Sequence, residues 1–273
     1  TTAVFLSILV SDARLRLAMT AVVVLGYSAM LDPRTSVQRA GITIGFVLLG
    51  SAFDVRWRPG PLIAFVAVIV LFFDPWAIME PGFQLSFGVT AALALLVAPC
   101  RRRWFGPSDQ LGHTRSSIVR SRFIDAATAA IVAWLIGAPI VMHHFGRVAP
   151  AGIPATLLAS IPMILLLGTG FPLILLGIAS STLASVGAFV MAPIADSLLA
   201  ITGAFAHLVP AIPVAPPAAG WTLIAVLGVA LGLGAPNRRW RRLGWAAGLL
   251  AFAVPLVATQ ALNRNAPYTI TAL

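Results

Sequence analysis

The chain has 273 residues, of which 59% are hydrophobic and 10% are charged, and its formal net charge is +10. A soluble domain carries roughly a quarter of charged residues, so this composition, with a mean hydropathy of +0.97, excludes a soluble globular protein. The single cysteine, Cys100, excludes an internal disulfide and a cysteine-rich metal site.

Ten apolar runs follow one another along the chain. The first is a stub at residues 1–10, so we expect the chain to be a piece of a longer protein. The other nine cover residues 17–31, 37–53, 61–73, 83–98, 124–142, 154–178, 187–209, 220–234 and 243–259. Because a membrane crossing needs about 20 apolar residues, we predict an all-α polytopic membrane protein with about eight to ten transmembrane or re-entrant helices.

The basic residues are all arginines, and they test this list of runs. If the runs alternate sides, 14 arginines fall on one side and four on the other. The first set is Arg14, Arg16, Arg56, Arg58, Arg101, Arg102, Arg103, Arg115, Arg120, Arg122, Arg238, Arg239, Arg241 and Arg242, and the second is Arg34, Arg39, Arg147 and Arg264. An arginine excess marks the cytoplasmic side, so the segment 74–82 and the C-terminal end are predicted to lie outside.

The longest predicted loop, residues 99–123, carries six of these arginines. We interpret it as a basic cytoplasmic loop that anchors the topology on anionic lipid. A contact with nucleic acid or with a partner protein is the alternative, since the net positive charge suits both.

The segment 74–87, DPWAIMEPGFQLSF, is the most informative polar stretch. A loop containing Asp74, Pro75, Pro81 and Gly82 leads into a helix that starts near Phe83. Helical spacing places Phe83, Ser86, Phe87 and Thr90 on one face, which we call the stripe. Gln84 lies beside this stripe. Polar groups at membrane depth face protein or water, so this stripe either contacts a passing polymer or bridges neighbouring helices by hydrogen bonds.

Arg39 leads directly into an apolar run. It is either an interfacial arginine that extends its side chain to water, or an anion contact at the outer mouth beside Arg34 and Arg147. Asp74 and Glu80 flank the loop, and Asp74 is expected to cap a helix rather than to catalyse a reaction.

The remaining titratable groups give weak signals. His143 and His144 are adjacent and point about 100° apart on a helix, which is poor geometry for one metal ion. Asp196 and His207 lie in an apolar region, where proton transport would require such groups. The sequence contains no familiar catalytic motif, so we predict no enzyme, no bound metal and no cofactor.

Several segments together resemble a known family in their order and spacing. They are Tyr27, SVQRA at 36–40, Asp74-Pro75, PGFQLSF at 81–87 and HFG at 144–146. They are similar to the membrane competence domain of ComEC-type DNA-uptake proteins, and the segment 81–87 is the most specific of them. The resemblance covers most of the chain.

The resemblance implies that residues 1–260 form the inner-membrane channel for transforming single-stranded DNA. Its path or gate would be lined by Phe83, Gln84, Ser86, Phe87 and Thr90. The loop 74–82 would support this gate, and Arg34, Arg39 and Arg147 would contact anions at the outer mouth. The implied partners are membrane lipid, single-stranded DNA, a cytoplasmic DNA-translocating motor, an extracytoplasmic DNA receptor and a second copy of the chain in a homo-oligomer. The implied location is a bacterial inner membrane, with multiple crossings and an extracytoplasmic C-terminal end.

The resemblance also implies that residues 261–273 begin an extracytoplasmic domain similar to the metallo-β-lactamase fold. The metal ligands of that domain do not occur in this chain, so no nuclease activity is expected of it. A Ser-Gly-Leu-His segment usual upstream is missing, and so is an Asn expected near Thr156.

Two alternatives remain at this point. One is a small-solute permease or proton-coupled carrier that uses Asp196, His207 and a broken helix at 154–178. The other is a membrane anchor for the hydrolase-like domain, with no transport role.

Overall fold

The computed structural model describes residues 12–30, 36–55, 57–106 and 115–265. Within these residues it contains nine α-helices, one 3₁₀ helix and a two-stranded antiparallel pairing. The helices are α1 Ala13–Ala29, α2 Ser36–Ala52, α3 Pro59–Phe73, α4 Pro81–Phe105, α5 Arg115–Phe145, α6 Gly152–Ala179, α7 Ser181–Leu208, α8 Ala219–Gly234 and α9 Arg238–Asn265. The predicted stub at 1–10, Arg34, Arg56 and the end of the chain after 265 lie outside the described residues.

The all-α polytopic fold predicted from the sequence is confirmed. Five of the described helices are long and apolar enough to cross a membrane, and three shorter apolar helices accompany them. The segment 154–178, expected to be a broken helix, is instead part of the continuous helix α6. Proline removes one helical hydrogen bond and bends a helix, but in a membrane span this does not require the chain to unwind.

The helices pack mainly as antiparallel neighbours. The pairs α1 with α2, α6 with α7 and α8 with α9 form hairpins, and α4 and α5 pack on each other and on α8. A core between α4, α5 and α8 contains the buried side chains Ala92, Cys100, Val132, Ile136, Val229 and Leu233. Strand β1, Arg147–Val148, pairs with strand β2, Ile212–Pro213, and so joins the end of α5 to the segment before α8.

The predicted loop 99–123 is largely helical in its described residues. Helix α4 continues through Arg101 to Phe105, and α5 already begins at Arg115. The physical reason is a partly buried ion pair, because the Arg101 guanidinium bonds the Asp125 carboxylate and donates to Ser121 Oγ at 2.9 Å. These contacts let both helices extend past their apolar segments.

Because successive helices run in opposite directions, their ends and connections gather at two ends of the bundle. At one end, the arginine end, Arg14 pairs with Asp54, and Arg103 Nη1 donates to the carbonyl of Leu233 at 3.0 Å. At the other, the loop end, lie the connections α3–α4, α5–α6 and α7–α8. The loop end holds Arg39, Arg147 and the C-terminal end of α9, whereas the arginine end holds the described arginines of the larger set.

The hairpin of α8 and α9 depends on glycine. A Cβ at Gly244 would lie 2.5 Å from the backbone nitrogen of Gly232, and one at Gly228 would lie 2.6 Å from that of Gly248. Both pairs, Gly228 with Gly232 and Gly244 with Gly248, have the spacing that lets membrane helices approach closely. The two backbones therefore touch without side chains between them.

We expect Gly244→Ala to lower the free energy of unfolding in detergent by about 1–3 kcal/mol, because the added methyl group forces two backbones apart. The measurement is reversible unfolding in mixed micelles. Gly220→Ala is the matched control, since a Cβ at Gly220 meets nothing within 4 Å. Equal stability of the two variants would contradict the close helix contact.

Candidate functional site

The segment between α3 and α4 is an ordered turn. Asp74 Oδ1 accepts a hydrogen bond from the backbone nitrogen of Trp76 at 3.1 Å and thereby caps the 3₁₀ helix Pro75–Met79. Pro75 and Pro81 each stand in the first turn of the helix they open, where a missing N–H costs little. The sequence-based expectation that Asp74 caps a helix matches this geometry.

Gln84 connects three elements at the loop end. Its Nε2 donates to the carbonyl of Ile78 at 2.9 Å, and its Oε1 lies 3.0 Å from Nε2 of His144 on α5. An amide oxygen only accepts, so His144 carries a proton on Nε2. Gln84 therefore bridges α4, α5 and the 3₁₀ helix, which is the bridging arrangement that the sequence left as one of two alternatives.

The neighbouring His143 contacts the segment before α8. Its Nδ1 lies 2.6 Å from the carbonyl oxygen of Pro217, so this nitrogen donates. The two histidine rings meet edge to face with centroids 4.7 Å apart. In the described part of the chain, no three His, Cys, Asp or Glu residues are grouped as a metal site would require.

Arg39 is buried beneath the same turn. Its side chain is 4% exposed, and Nη2 donates to the carbonyl of Gly82 at 3.0 Å. The charge of Glu80 also acts on it. A Cβ at position 82 would lie 3.3 Å from Nη2, so glycine allows this close approach. The guanidinium thus fastens α2 to the first turn of α4 and does not extend into an open mouth.

A cavity of about 260 Å³ lies beside Arg39, between α2, α3 and α4. Ser86, Phe87 and Thr90 line it from α4, and Thr43 lines it from α2. Three of the four residues predicted to share a face are therefore brought together with Arg39. We call this cavity the Arg39 pocket. The fourth, Phe83, packs in a buried cluster with Val70 and Ala77, and its ring centroid is 4.5 Å from that of Phe87.

The hydroxyl groups of the Arg39 pocket differ in their bonding. Thr43 Oγ1 donates to the carbonyl of Arg39 at 2.8 Å, as hydroxyls in membrane helices commonly do four residues back. The corresponding acceptor for Ser86 is the carbonyl of Gly82, which already accepts from Arg39. Among the described residues, neither Ser86 nor Thr90 has a hydrogen-bond partner for its hydroxyl. Both groups are available to a ligand in the pocket.

Arg147 lies beside a different face of α4 from the one that lines the Arg39 pocket. It is exposed in strand β1 and borders a mainly apolar cavity of about 310 Å³, which Leu85 and Val89 also line. Arg39 and Arg147 therefore belong to separate cavities at the loop end, and Arg34 falls outside the described residues. The structure does not join the described members of the predicted arginine set into one cluster.

Two long-range contacts of the candidate site escaped the sequence analysis. The pairing of Gln84 with His144 joins residues 60 positions apart, and the contact of Arg39 with Gly82 joins residues 43 positions apart. Both link residues that the sequence had singled out separately. Without the packing of α2, α4 and α5, no local spacing indicates that they meet.

Comparison with known proteins decides the family. The sequence model of the Competence protein family matches residues 1–242. The chain belongs to this family.

A curated protein aligns with part of the chain. It is ComE operon protein 3 of Bacillus subtilis (strain 168), which is 26% identical over 132 residues, or 48% of this chain and 15% of that protein. The match thus spans a small part of the relative's length. No solved structure matches the chain. The family resemblance drawn from the segments 36–40, 81–87 and 144–146 is confirmed.

We expect Gln84→Leu and His144→Phe to be coupled in a double-mutant cycle by about 0.6–1.5 kcal/mol, because each substitution removes the same interhelical hydrogen bond. The measurement is the free energy of unfolding of the two single variants and the double variant in micelles. Trp134→Phe is the control partner for Gln84→Leu, since its Nε1 bonds the Ala149 carbonyl instead. A coupling as small as that of the control pair would contradict the bridge.

Proposed function

We propose that this competence-family chain forms part of the inner-membrane path through which transforming single-stranded DNA enters the cytoplasm. Membership of the Competence protein family and several apolar spans support this role. DNA cannot cross bare hydrocarbon, because each phosphate would carry an uncompensated charge. A protein-lined path is needed, and the proposal assigns it to the neighbourhood of α4.

The observation that carries the proposal is the composition of the Arg39 pocket. It combines Arg39 on α2 with the hydroxyls of Ser86 and Thr90 and the ring of Phe87 on α4. A guanidinium suits phosphate, hydroxyls donate and accept hydrogen bonds, and an aromatic face contacts bases whatever their sequence. An apolar helix contact would not need this combination of groups.

The pocket represents a closed state in this proposal. Its volume of about 260 Å³ is below that of a site for one drug-sized ligand, roughly 300–1,000 Å³, so a strand does not fit. The bond between Arg39 and Gly82 holds α2 against α4 at the loop end. Passage of DNA would require these helices to separate, and phosphate oxygens would then replace the Gly82 carbonyl as acceptors for Arg39.

The orientation follows from charge. Placing the arginine end in the cytoplasm satisfies the positive-inside rule, and the loop end and the C-terminal end of α9 then lie outside the cell. DNA would enter at the loop end, where Arg147 is exposed and attracts phosphate. The chain shows no nucleotide-binding motif, so a cytoplasmic motor would pull the strand, and an extracytoplasmic receptor would deliver it.

The carrier alternative receives less support. Asp196 and His207 both lie on α7, and neither lines the Arg39 pocket. Its expected broken helix is the continuous α6. The anchor alternative differs from the proposal in one respect, because it predicts that pocket substitutions leave uptake unchanged.

We expect the double substitution Ser86→Ala with Thr90→Val to lower transformation frequency by about tenfold, which corresponds to losing two hydrogen bonds of about 0.7 kcal/mol each to the moving strand. The hydroxyls bond no described residue, so the fold should be unaffected. The measurement is transformation by the full-length protein in a naturally transformable host whose own gene is deleted, with membrane levels of the protein determined in parallel.

Thr202→Val is the matched control on α7, because it removes a hydroxyl that bonds only its own helix at Leu198 and Leu199. It should leave uptake unchanged. Normal transformation by the pocket variant at normal membrane levels would remove Ser86 and Thr90 from the DNA path and favour the anchor role.

A further inference from the structure

A second groove lies at the arginine end, away from the Arg39 pocket. It has a volume of about 720 Å³ and lies between the last turn of α2 and the first turn of α3. Ser51, Asp54 and Trp57 line it near the helix ends, and Val47 and Leu62 line it one turn further into the helices. The groove is therefore polar at the level of the bundle end and apolar towards the interior.

The turn that forms the groove places a carboxylate at an unusual backbone position. After α2, the Val55 backbone nitrogen donates to the Gly50 carbonyl at 2.7 Å, which closes the helix with a Schellman turn. The residue that must adopt the left-handed conformation there is normally glycine, but here it is Asp54, with φ of 57°. A charged side chain is thus held where glycine would fit with less strain.

The Asp54 carboxylate forms half of an exposed ion pair. It pairs with the guanidinium of Arg14 on α1, and both side chains are 70% exposed. The pair presents a positive and a negative group side by side at the edge of the groove. This arrangement is complementary to a ligand that carries a phosphate and an ammonium group a few bonds apart.

The aromatic residues around this groove are typical of a membrane interface. The indole of Trp57 stacks on Phe65 with centroids 5.9 Å apart, and Phe65 meets Phe46 edge to face at 5.0 Å. Tryptophan at the end of a membrane helix is typical of the headgroup level. A Cβ at Gly50 would lie 2.1 Å from Nε1 of Trp57, so glycine makes room for the indole.

We propose that this groove is a binding site for a phospholipid whose headgroup carries both a phosphate and a primary ammonium. The Arg14 guanidinium bonds the phosphate, and the Asp54 carboxylate accepts from the ammonium. The acyl chains lie along Val47 and Leu62. Arginines alone at this end of the bundle would favour anionic lipid. The Asp54 carboxylate therefore sets the preference for an amine-bearing headgroup.

The test measures lipid selectivity. The full-length protein, purified in mild detergent, is incubated with an equimolar mixture of phosphatidylethanolamine, phosphatidylcholine and phosphatidylglycerol with identical acyl chains, and bound lipids are counted by native mass spectrometry. We expect phosphatidylethanolamine to be retained about two- to five-fold over each of the others, as an exposed ion pair allows. Phosphatidylcholine lacks N–H donors, and phosphatidylglycerol lacks the cation.

Asp54→Gly and Asp54→Asn should both abolish this preference. Glycine fits the left-handed turn without strain, so the first variant keeps the fold, which circular dichroism verifies. Asp196→Asn, on α7, is the control that should keep the preference. Equal retention of the three lipids, a preference for phosphatidylglycerol, or a preference that survives both Asp54 substitutions would each overturn the proposal. Transformation assays do not enter this test, so its outcome is independent of the proposed DNA path.

Discussion

The hydrogen bond from the buried guanidinium of Arg39 to the carbonyl of Gly82 sets how α2 and α4 meet at the loop end. It fastens α2 to the first turn of α4, and its acceptor is the carbonyl four residues before Ser86. Because glycine stands at position 82, the guanidinium approaches the helix backbone closely. This contact therefore lies beside the Arg39 pocket, which Ser86 also lines. A structural fastening and a candidate ligand site thus depend on the same two residues.

Side chain to carbonyl bonds recur at both ends of the bundle. Gln84 bonds the Ile78 carbonyl, His143 bonds that of Pro217, and Arg103 bonds that of Leu233. Lipid tails are as apolar as leucine, so burial of apolar side chains drives helix association weakly in a membrane. Close glycine contacts, as between α8 and α9, and polar bonds near the helix ends supply the specificity instead. The helices are consequently held at their ends and along one hairpin.

The two grooves differ in chemistry in a way that suits their positions. The Arg39 pocket lies between three helices and offers a cation, hydroxyls and an aromatic ring. The groove at Asp54 lies at a helix terminus and offers a carboxylate beside an arginine. The first arrangement suits a polyanion that moves through the protein, and the second suits a zwitterionic group that stays at the interface. Separate residues carry the two proposals, so each stands or falls on its own experiment.

The sequence determined the membrane class, the number of apolar helices and the distribution of arginines between two ends, because span length and charge act locally along the chain. It also placed Ser86, Phe87 and Thr90 on one face and made Asp74 a cap. Tertiary structure alone decided that Phe83 is buried, that Arg39 reaches Gly82 and that Gln84 meets His144. It also decided that residues 99–123 are largely helical where they are described, since Arg101 finds Asp125 across the helix pair. Such contacts join residues far apart in the chain, and only the packing of the helices brings their side chains within bonding distance.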